Sequence, residues 1–458
     1  MPHLDPHAAT YSDASGYTGW CDRVLRPATE DEVIAIVRDA VATHTPLTIA
    51  GAATGLTGSG VPQGGWLVSM ERFRTLQIEQ GYARVGPAVS LLELRDRAAA
   101  TGQFYAPDPT EIRASLGGGI ATNASGSRSF RFGPTRRHLR ALRVVTMDGL
   151  VRSYRRGEPI AFAVPTLPQP ATTKNTAGFR LTAGMDWVDL FCGSEGTLGI
   201  VIEAEVTLLP IPDEVVAGVI FFSSDDAALD AVAAWRELPQ LRMLEYADHA
   251  SLRMIGAQYP EIAGEARAAL LIEAEGHDLE DWKTRVAAAG ALVEATWIAL
   301  GSHGHERFRA FRHALPNAVI DTMRQRGFLN MGTDYAVPIG RNREMLRHYR
   351  ERLETELPGR YVVYGHIGDA HLHVNMLPAS EDDARTATRL LREFAQRAVE
   401  LGGTVSAEHG LGKRKASLLA LQFTPAEIDA MRAVKQRLDP HWLLGRGTLF
   451  ASPGQETV

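Results

Sequence analysis

An α+β chain of two or three domains is what the sequence predicts, and three features predict it. At 458 residues the chain is too long for one ordinary core. Glycine-rich tracts, each joined to a strand, mark the N-terminal half at 51–65, 115–126 and 192–199. After Pro210 and Pro212 the tracts stop and strands alternate with helices, the rhythm of a separate α+β domain starting near residue 213.

In chain order, the first element is a helix within RPATEDEVIAIVRDAVATH (26–44). Pro27 and Thr29 stand at its start, acids fill its first turn, and Val33, Ile36, Val37, Ala40 and Val41 recur at helical spacing. A strand, PLTIA (46–50), enters the first glycine tract, and the strand WLVSM leaves it. ARVGPAVSL (83–91) reads as a strand leading into the helix LLELRDRAAATG. RALRVVTMDG (140–149) is a strand closed by an Asp-Gly turn, and IVIEAEVTLLP is an alternating strand ended by Pro210. Beyond 213, VVAGVIFF and ARAALLIEAEG are strands, while DDAALDAVAAWREL and LEDWKTRVAAAG are helices. YVVYGHIGDAHLHVNML (361–377) is predicted as a hairpin turning at Gly368-Asp369. A helix carrying Leu390, Leu391, Phe394 and Ala398 then ends at Gly402-Gly403.

Hydrophobic residues make up 45% and charged residues 22%, ordinary for a globular protein in water. A formal charge of -6 argues against a nucleic-acid binder, although a local arginine cluster for an anionic ligand is invisible in the total. Cys21 and Cys192 cannot build a disulfide framework, so a reducing compartment is expected. The first twenty residues carry no signal-peptide pattern, no window is apolar enough to span a bilayer, and the tail ASPGQETV has no lipidation signal.

Gly51, Gly55, Gly58 and Gly60 allow backbone N–H groups to converge on an anion without Cβ clashes. No Gly-Lys-Ser/Thr closes that tract, and Pro62 stands where a Rossmann helix would begin, so neither phosphate motif applies. The longer run PDPTEIRASLGGGIATNASGSRSFRFGPTRR (107–137) is rich in small residues against which flat rings and a pyrophosphate could lie. Near the C-terminal end, GHIGDAHLH (365–373) and SAEHGLG (406–412) look like halves of one metal site. On a strand His371, His373 and Asn375 share a face, His366 lies across the turn, and Glu408 offers a hard oxygen. Spacing leaves open which two or three of the groups bind. His409 is a candidate base at neutral pH, and Arg312 could clamp a carboxylate, although a solvated role is the commoner one for an arginine.

RPATEDEVIAIV, GAATGLTGSGVP, PDPTEIRASLGGGIATNASG, GSEGTLGIV, GHIGDAHLHVN and SAEHGLGKRK stand in an order and spacing that resemble the FAD-linked oxidases of the vanillyl-alcohol-oxidase fold. The branch they resemble is that of the D-2-hydroxyacid dehydrogenases. The resemblance implies a two-part FAD-binding domain (1–212), a ferredoxin-like α+β cap carrying the metal site (213–412), and a C-terminal helical segment (413–458) returning to the FAD domain. It implies non-covalent FAD, since no attachment histidine stands in the first tract. The cofactor-binding positions would be Gly51, Ala52, Ala53, Thr54, Gly55, Leu56, Thr57 and Gly58, with Pro107, Ser115, Gly118, Gly119, Ala121, Thr122, Asn123 and Gly126. Glu195, Gly196, Gly199, Ile200 and Val201 would complete the pocket. His366, His373 and Glu408 match the ligands of a divalent metal (zinc, manganese or iron), His409 the base, and Asn375 and Arg312 the substrate-orienting groups.

The chain departs from that pattern at Gly119, at Ala370-His371, at Gly332 where a Lys is common, at Pro316, and at LLGRGTLF near the C-terminus. No clamp for a second carboxylate is recognisable, which weighs against hydroxyglutarate. The implied activity is metal-assisted oxidation of a D-2-hydroxy acid to the 2-oxo acid, with electrons passed to an external quinone, cytochrome or electron-transfer flavoprotein. A cytoplasmic location goes with it; a homodimer and a peripheral membrane contact stay open. The alternatives are another oxidase or an alkyl-transferring synthase of the same fold, a metal hydrolase of a phosphorylated substrate, or a binding protein without turnover.

Overall fold

A computed structural model of the chain describes residues 10–276, 278–299 and 301–451. The extreme ends, where neither a signal peptide nor a lipidation motif is expected, lie outside the described residues, as do the outer limits of the first and third segments.

The N-terminal half is built on two sheets. A parallel three-stranded sheet is ordered Arg23–Leu25, Trp66–Ser69, Leu47–Ala50. The first helix, Glu30–Thr43, is capped by the Thr29 side chain, which accepts from the Glu32 amide, and ends with His44 in the left-handed region. Val33, Val37 and Ala40 are fully buried on one side of it, as their spacing predicts. They share a core with Leu47 and Val68 of the parallel sheet and with Val145, Ile200 and Ile202 of the next sheet. That core also contains Leu443 and Leu444 from the far end of the chain. The C-terminal segment joins the sheet itself, because the Leu47 amide donates to the Leu443 carbonyl and the Gly445 amide to the Leu47 carbonyl.

The second sheet is antiparallel, ordered Val151–Arg155, Leu139–Val145, Ile200–Thr207, Tyr82–Val85, Leu76–Glu79. Beside it the second glycine tract forms a short helix, Leu116–Thr122, although its glycines disfavour one. Ser115 caps its start, and Asn123, at φ 51°, ends it. Close approach explains two glycines of the tract: a Cβ on Gly117 would lie 2.6 Å from Pro87 Cβ, and one on Gly126, beyond the helix, would lie 2.0 Å from the Asp108 carbonyl oxygen.

From Val215 onward the chain forms one antiparallel sheet of seven strands. Its order is Trp297–Ala299, Val215–Phe222, Ala268–Glu275, Leu241–Asp248, Tyr361–His366, His371–Met376, Met331–Gly332. The strands are buried on both faces and so lack simple alternation. Val219 and Phe221 meet Phe308, Phe311 and Leu315 of the helix Gly301–Arg326. Ile220 and Phe222 face the side of the helices Asp225–Trp235 and Leu279–Ala288. The expected hairpin forms, with a one-turn 3-10 segment, Ile367–Asp369, between its strands. Among the described residues no helix is long and apolar enough to cross a membrane.

Candidate active site

The hairpin brings its three histidines together. His366 is paired in register with His371, and His373 follows on the same face, so the His371 and His373 rings are 4.4 Å apart between centroids. Glu408, from the loop after the helix Glu381–Glu400, reaches them from outside the sheet. Its Oε1 lies 3.3 Å from His366 Nε2 and 3.4 Å from His373 Nε2. Four side chains (His366, His371, His373 and Glu408) present donor atoms within 4.8 Å of one another.

Those spacings fit an ion. Ligands about 2.1 Å from a tetrahedral centre stand about 3.4 Å apart. The outward nitrogens are also held: His366 Nδ1 lies 2.7 Å from Glu245, and His373 Nδ1 is 3.0 Å from the Thr333 carbonyl oxygen. Such contacts fix ring orientation and aim each Nε2 inward. His371 differs, for its Nε2 is 3.2 Å from Asp334 Oδ1, and burial together with the neighbouring His373 pushes its imidazole down to about 3. Burial disfavours charge on His366, as does Lys174, yet Glu408 and Glu245 outweigh both and raise it. The point between these groups therefore attracts positive charge, which a proton or a divalent ion can supply.

Asp334 and Lys174 complete the cluster. Asp334 is fully buried and accepts from Ser406 Oγ at 2.7 Å and from the amides of Glu408 and His409 at 3.2 and 3.0 Å. Burial opposes its charge, but His409 and His371 prevail and hold it far below the ordinary carboxylate range. The second oxygen of Glu408 turns the other way, accepting from Ser125 Oγ at 2.9 Å and from Lys174 Nζ at 3.0 Å. Despite burial, Lys174 and His366 keep Glu408 well below its usual value. One carboxylate thus joins the histidine hairpin to the second glycine tract.

His409 stacks on His373, ring centroids 5.7 Å apart and planes at 12°, with Nε2 3.7 Å from Glu408 and Nδ1 3.6 Å from Asp334. Burial lowers its basicity in spite of both carboxylates. Asn375 is buried and its Nδ2 has no hydrogen-bond partner among the described residues. A Cβ on Gly332 would lie 2.8 Å from Asn375 Oδ1, so a larger residue there would displace the amide. Arg312 is largely covered rather than solvated. Its Nε and Nη2 bind Glu245 at 2.5 and 3.1 Å, leaving Nη1 without a hydrogen bond among the described residues.

The glycine tracts converge beside this cluster. A Cβ on Gly51 would lie 2.5 Å from Ser115 Oγ, which puts the first tract against the second. Gly51, Ala52, Ala53 and Gly55 are exposed, Thr54 and Leu56 partly so, and Ala53 has φ 56°. Gly118, Ala121 and Thr122 are half-open, whereas Pro107, Ser115, Gly119 and Gly126 are buried. Glu195, at φ 52°, ties the third tract to the C-terminal motif: it accepts from Ser59 Oγ and from the amides of Leu411 and Gly412 at 2.9 and 2.8 Å. Gly196 has open space on its side-chain position. Asn123 spends its side-chain oxygen on the Arg136 amide, 2.9 Å away. Gly199 packs on Val144 and Phe191, Ile200 is in the core and Val201 half-buried, so at Gly199 and Ile200 only backbone can face a ligand.

Glu245, Asp334, Lys174 and Ser125 are absent from the sequence-based set. A signal exists for Glu245, an acid in the middle of the largely apolar strand LRMLEYAD, since an uncompensated charge there would be costly. Lys174, in TTKNTAGF, gives no such signal.

Comparison with known proteins adds three findings. Two family profiles match: "FAD binding domain" over residues 21–154, and "FAD linked oxidases, C-terminal domain" over residues 211–449. The chain is 29% identical to glycolate oxidase subunit GlcD of Bacillus subtilis, over 98% of this chain and 93% of the relative. It is 29% identical to a D-lactate dehydrogenase of Anaerostipes hadrus (96% and 92% covered) and 30% identical to a D-2-hydroxyglutarate dehydrogenase of Xanthomonas citri pv. viticola (93% and 89%). Among solved structures, an alkyldihydroxyacetonephosphate synthase superposes with a TM-score of 0.67 over 92% of this chain and 76% of its own, at 16% identity, a likeness of fold.

Proposed function

This chain belongs to the FAD-linked oxidase family, and on that premise we propose that it oxidises a D-2-hydroxy acid to the 2-oxo acid and passes the electrons to an external acceptor. The observation that carries the reading is the double use of Glu408: one oxygen faces His366 and His373, while the other is held by Ser125 and Lys174 at the glycine tracts. A substrate at that junction would meet the cofactor cradle and the cation site together. Glycolate, D-lactate and D-2-hydroxyglutarate, the acids that name the relatives above, are all 2-hydroxy acids.

FAD, held non-covalently along 51–58, 115–126 and Glu195–Gly196, supplies the two-electron acceptor, and a divalent ion on His366, His373 and Glu408 supplies Lewis-acid polarisation of the substrate hydroxyl. His409, stacked on His373 and backed by Asp334, accepts the hydroxyl proton at Nε2. The Asn375 amide, whose Nδ2 is unpartnered, and Arg312 through Nη1 orient the carboxylate. Glu245 keeps Arg312 and His366 in place. Cys21 and Cys192, both buried, cannot hold an iron–sulfur cluster between them, so the acceptor is a separate molecule.

Anaerobic mixing of the yellow protein with paired D- and L-2-hydroxy acids tests the proposal. Bleaching of the flavin by a D acid and not by its L partner is expected. A flavin left oxidised by the whole panel would overturn the reading.

A further inference from the structure

A cavity of about 460 Å³ opens on the far side of the segment 172–175, and four arginines and one aspartate line it. Thr172, Thr173 and Asn175 form its near wall, while Lys174 between them turns away to Glu408. Two of the arginines are engaged by protein: Arg136 binds the carbonyls of Asp189 and Cys192, and Arg156 binds Asp186 and Asp189. The side chains of Arg137 and Arg180 make no hydrogen bond and no ion pair among the described residues. Many other arginines of the chain are paired with acids, as in Arg128–Glu273, Arg143–Glu30 and Arg350–Asp248. Burial, and then Arg136, disfavour the charge on Arg180, so nothing nearby fully compensates it. Asn175 spends its carbonyl oxygen on Ala177 and Thr404, which leaves its amide hydrogens as donors.

We propose that this cavity is an anion-binding site, separate from the hydroxy-acid site, for a small metabolite carrying a phosphate or carboxylate that Arg137, Arg180 and the Asn175 amide would grip. The donor set matches: guanidinium forks are shaped for such oxygens, and the one acid present is already paired. Its size falls in the range of small-molecule sites, roughly 300–1,000 Å³. A chain of net charge -6 has no general attraction for anions, so the cluster is local.

Titration calorimetry of the flavin-loaded protein with inorganic phosphate and with succinate, which has no hydroxyl to oxidise, tests the proposal. One saturable site per chain is expected for at least one probe, and which probe binds distinguishes phosphate from carboxylate recognition. Arg137→Gln and Arg180→Gln should each weaken that binding roughly tenfold or more, the worth of a charge-assisted hydrogen bond. His366→Ala should leave it intact, and flavin colour reports that each variant folds. The proposal is overturned by the absence of saturable binding of either probe, by unchanged affinity in both arginine variants, or by loss confined to His366→Ala.

Discussion

At the scale of single residues, the side chains expected to do chemistry are less informative than those behind them. Glu245 touches both Arg312 and His366, so one carboxylate sets two groups with different tasks. Glu245→Gln keeps the shape but removes the charge. The expected result is a 10- to 100-fold weaker metal affinity, about what loss of an outer-shell partner causes, read by metal content after dialysis against a graded chelator. A lower melting temperature should accompany it, because the largely covered Arg312 guanidinium is left uncompensated. His409→Ala should retain flavin and metal yet lose about 10²–10⁴-fold in the rate of flavin reduction by substrate, followed by stopped-flow absorbance. Full-speed reduction would remove His409 from the mechanism. The histidines and Glu408 were legible as a candidate site in the sequence because clustered imidazoles and a Glu-His pair are rare, whereas Arg312 gains a role only through the family resemblance. The partner of Arg312 was not legible, since Glu245 stands 67 positions away and only the fold brings the two together.

At the scale of elements, the glycine-rich helix Leu116–Thr122 shows how a poor helix former is made to form. Its two ends are fixed by Ser115 and Asn123, and at Gly117 the neighbouring Pro87 leaves no room for a Cβ. Asn123→Ala should cost about 2–3 kcal/mol in urea unfolding. The change leaves the buried Arg136 amide unpaired and puts alanine at a left-handed φ. Asn123→Gly, which relieves the backbone but not the lost bond, should cost less; equal losses would mean that the backbone conformation is unimportant. The first helix and the histidine hairpin were readable from periodicity and from the Gly-Asp turn. The glycine helix was not, since propensity argues against it and only tertiary contact compensates. The seven-stranded sheet was readable in its strands but not in its order, which places Leu241–Asp248 beside Tyr361–His366 through pairings no local pattern encodes.

At the scale of the whole molecule, seven tyrosines, six of them buried and Tyr364 partly so, link stability to alkaline pH. Burial pushes Tyr154 and Tyr361 up to about 12, with Glu354 adding to the rise at Tyr361, and it raises Tyr105, Tyr246, Tyr335, Tyr349 and Tyr364 further. In the unfolded chain tyrosines lose their protons near ~10, whereas the native ones keep theirs. Above that pH the native state binds more protons than the unfolded one, so stability falls as pH rises through the interval. Ultraviolet titration should show most phenols ionising only as the protein unfolds, and early ionisation of the full set would contradict the burial. The joining of Leu443 and Leu444 to the Leu47 strand has a different bearing, on biosynthesis. A ribosome emits the closing partner only about 400 residues after the parallel sheet it covers. Until then the faces of Val33, Val37 and Leu47 that Leu443 and Leu444 will cover stay wet, a standing invitation to chaperones during elongation. Native shape is therefore sealed by the tail, not by the amino-terminal residues that emerge before it.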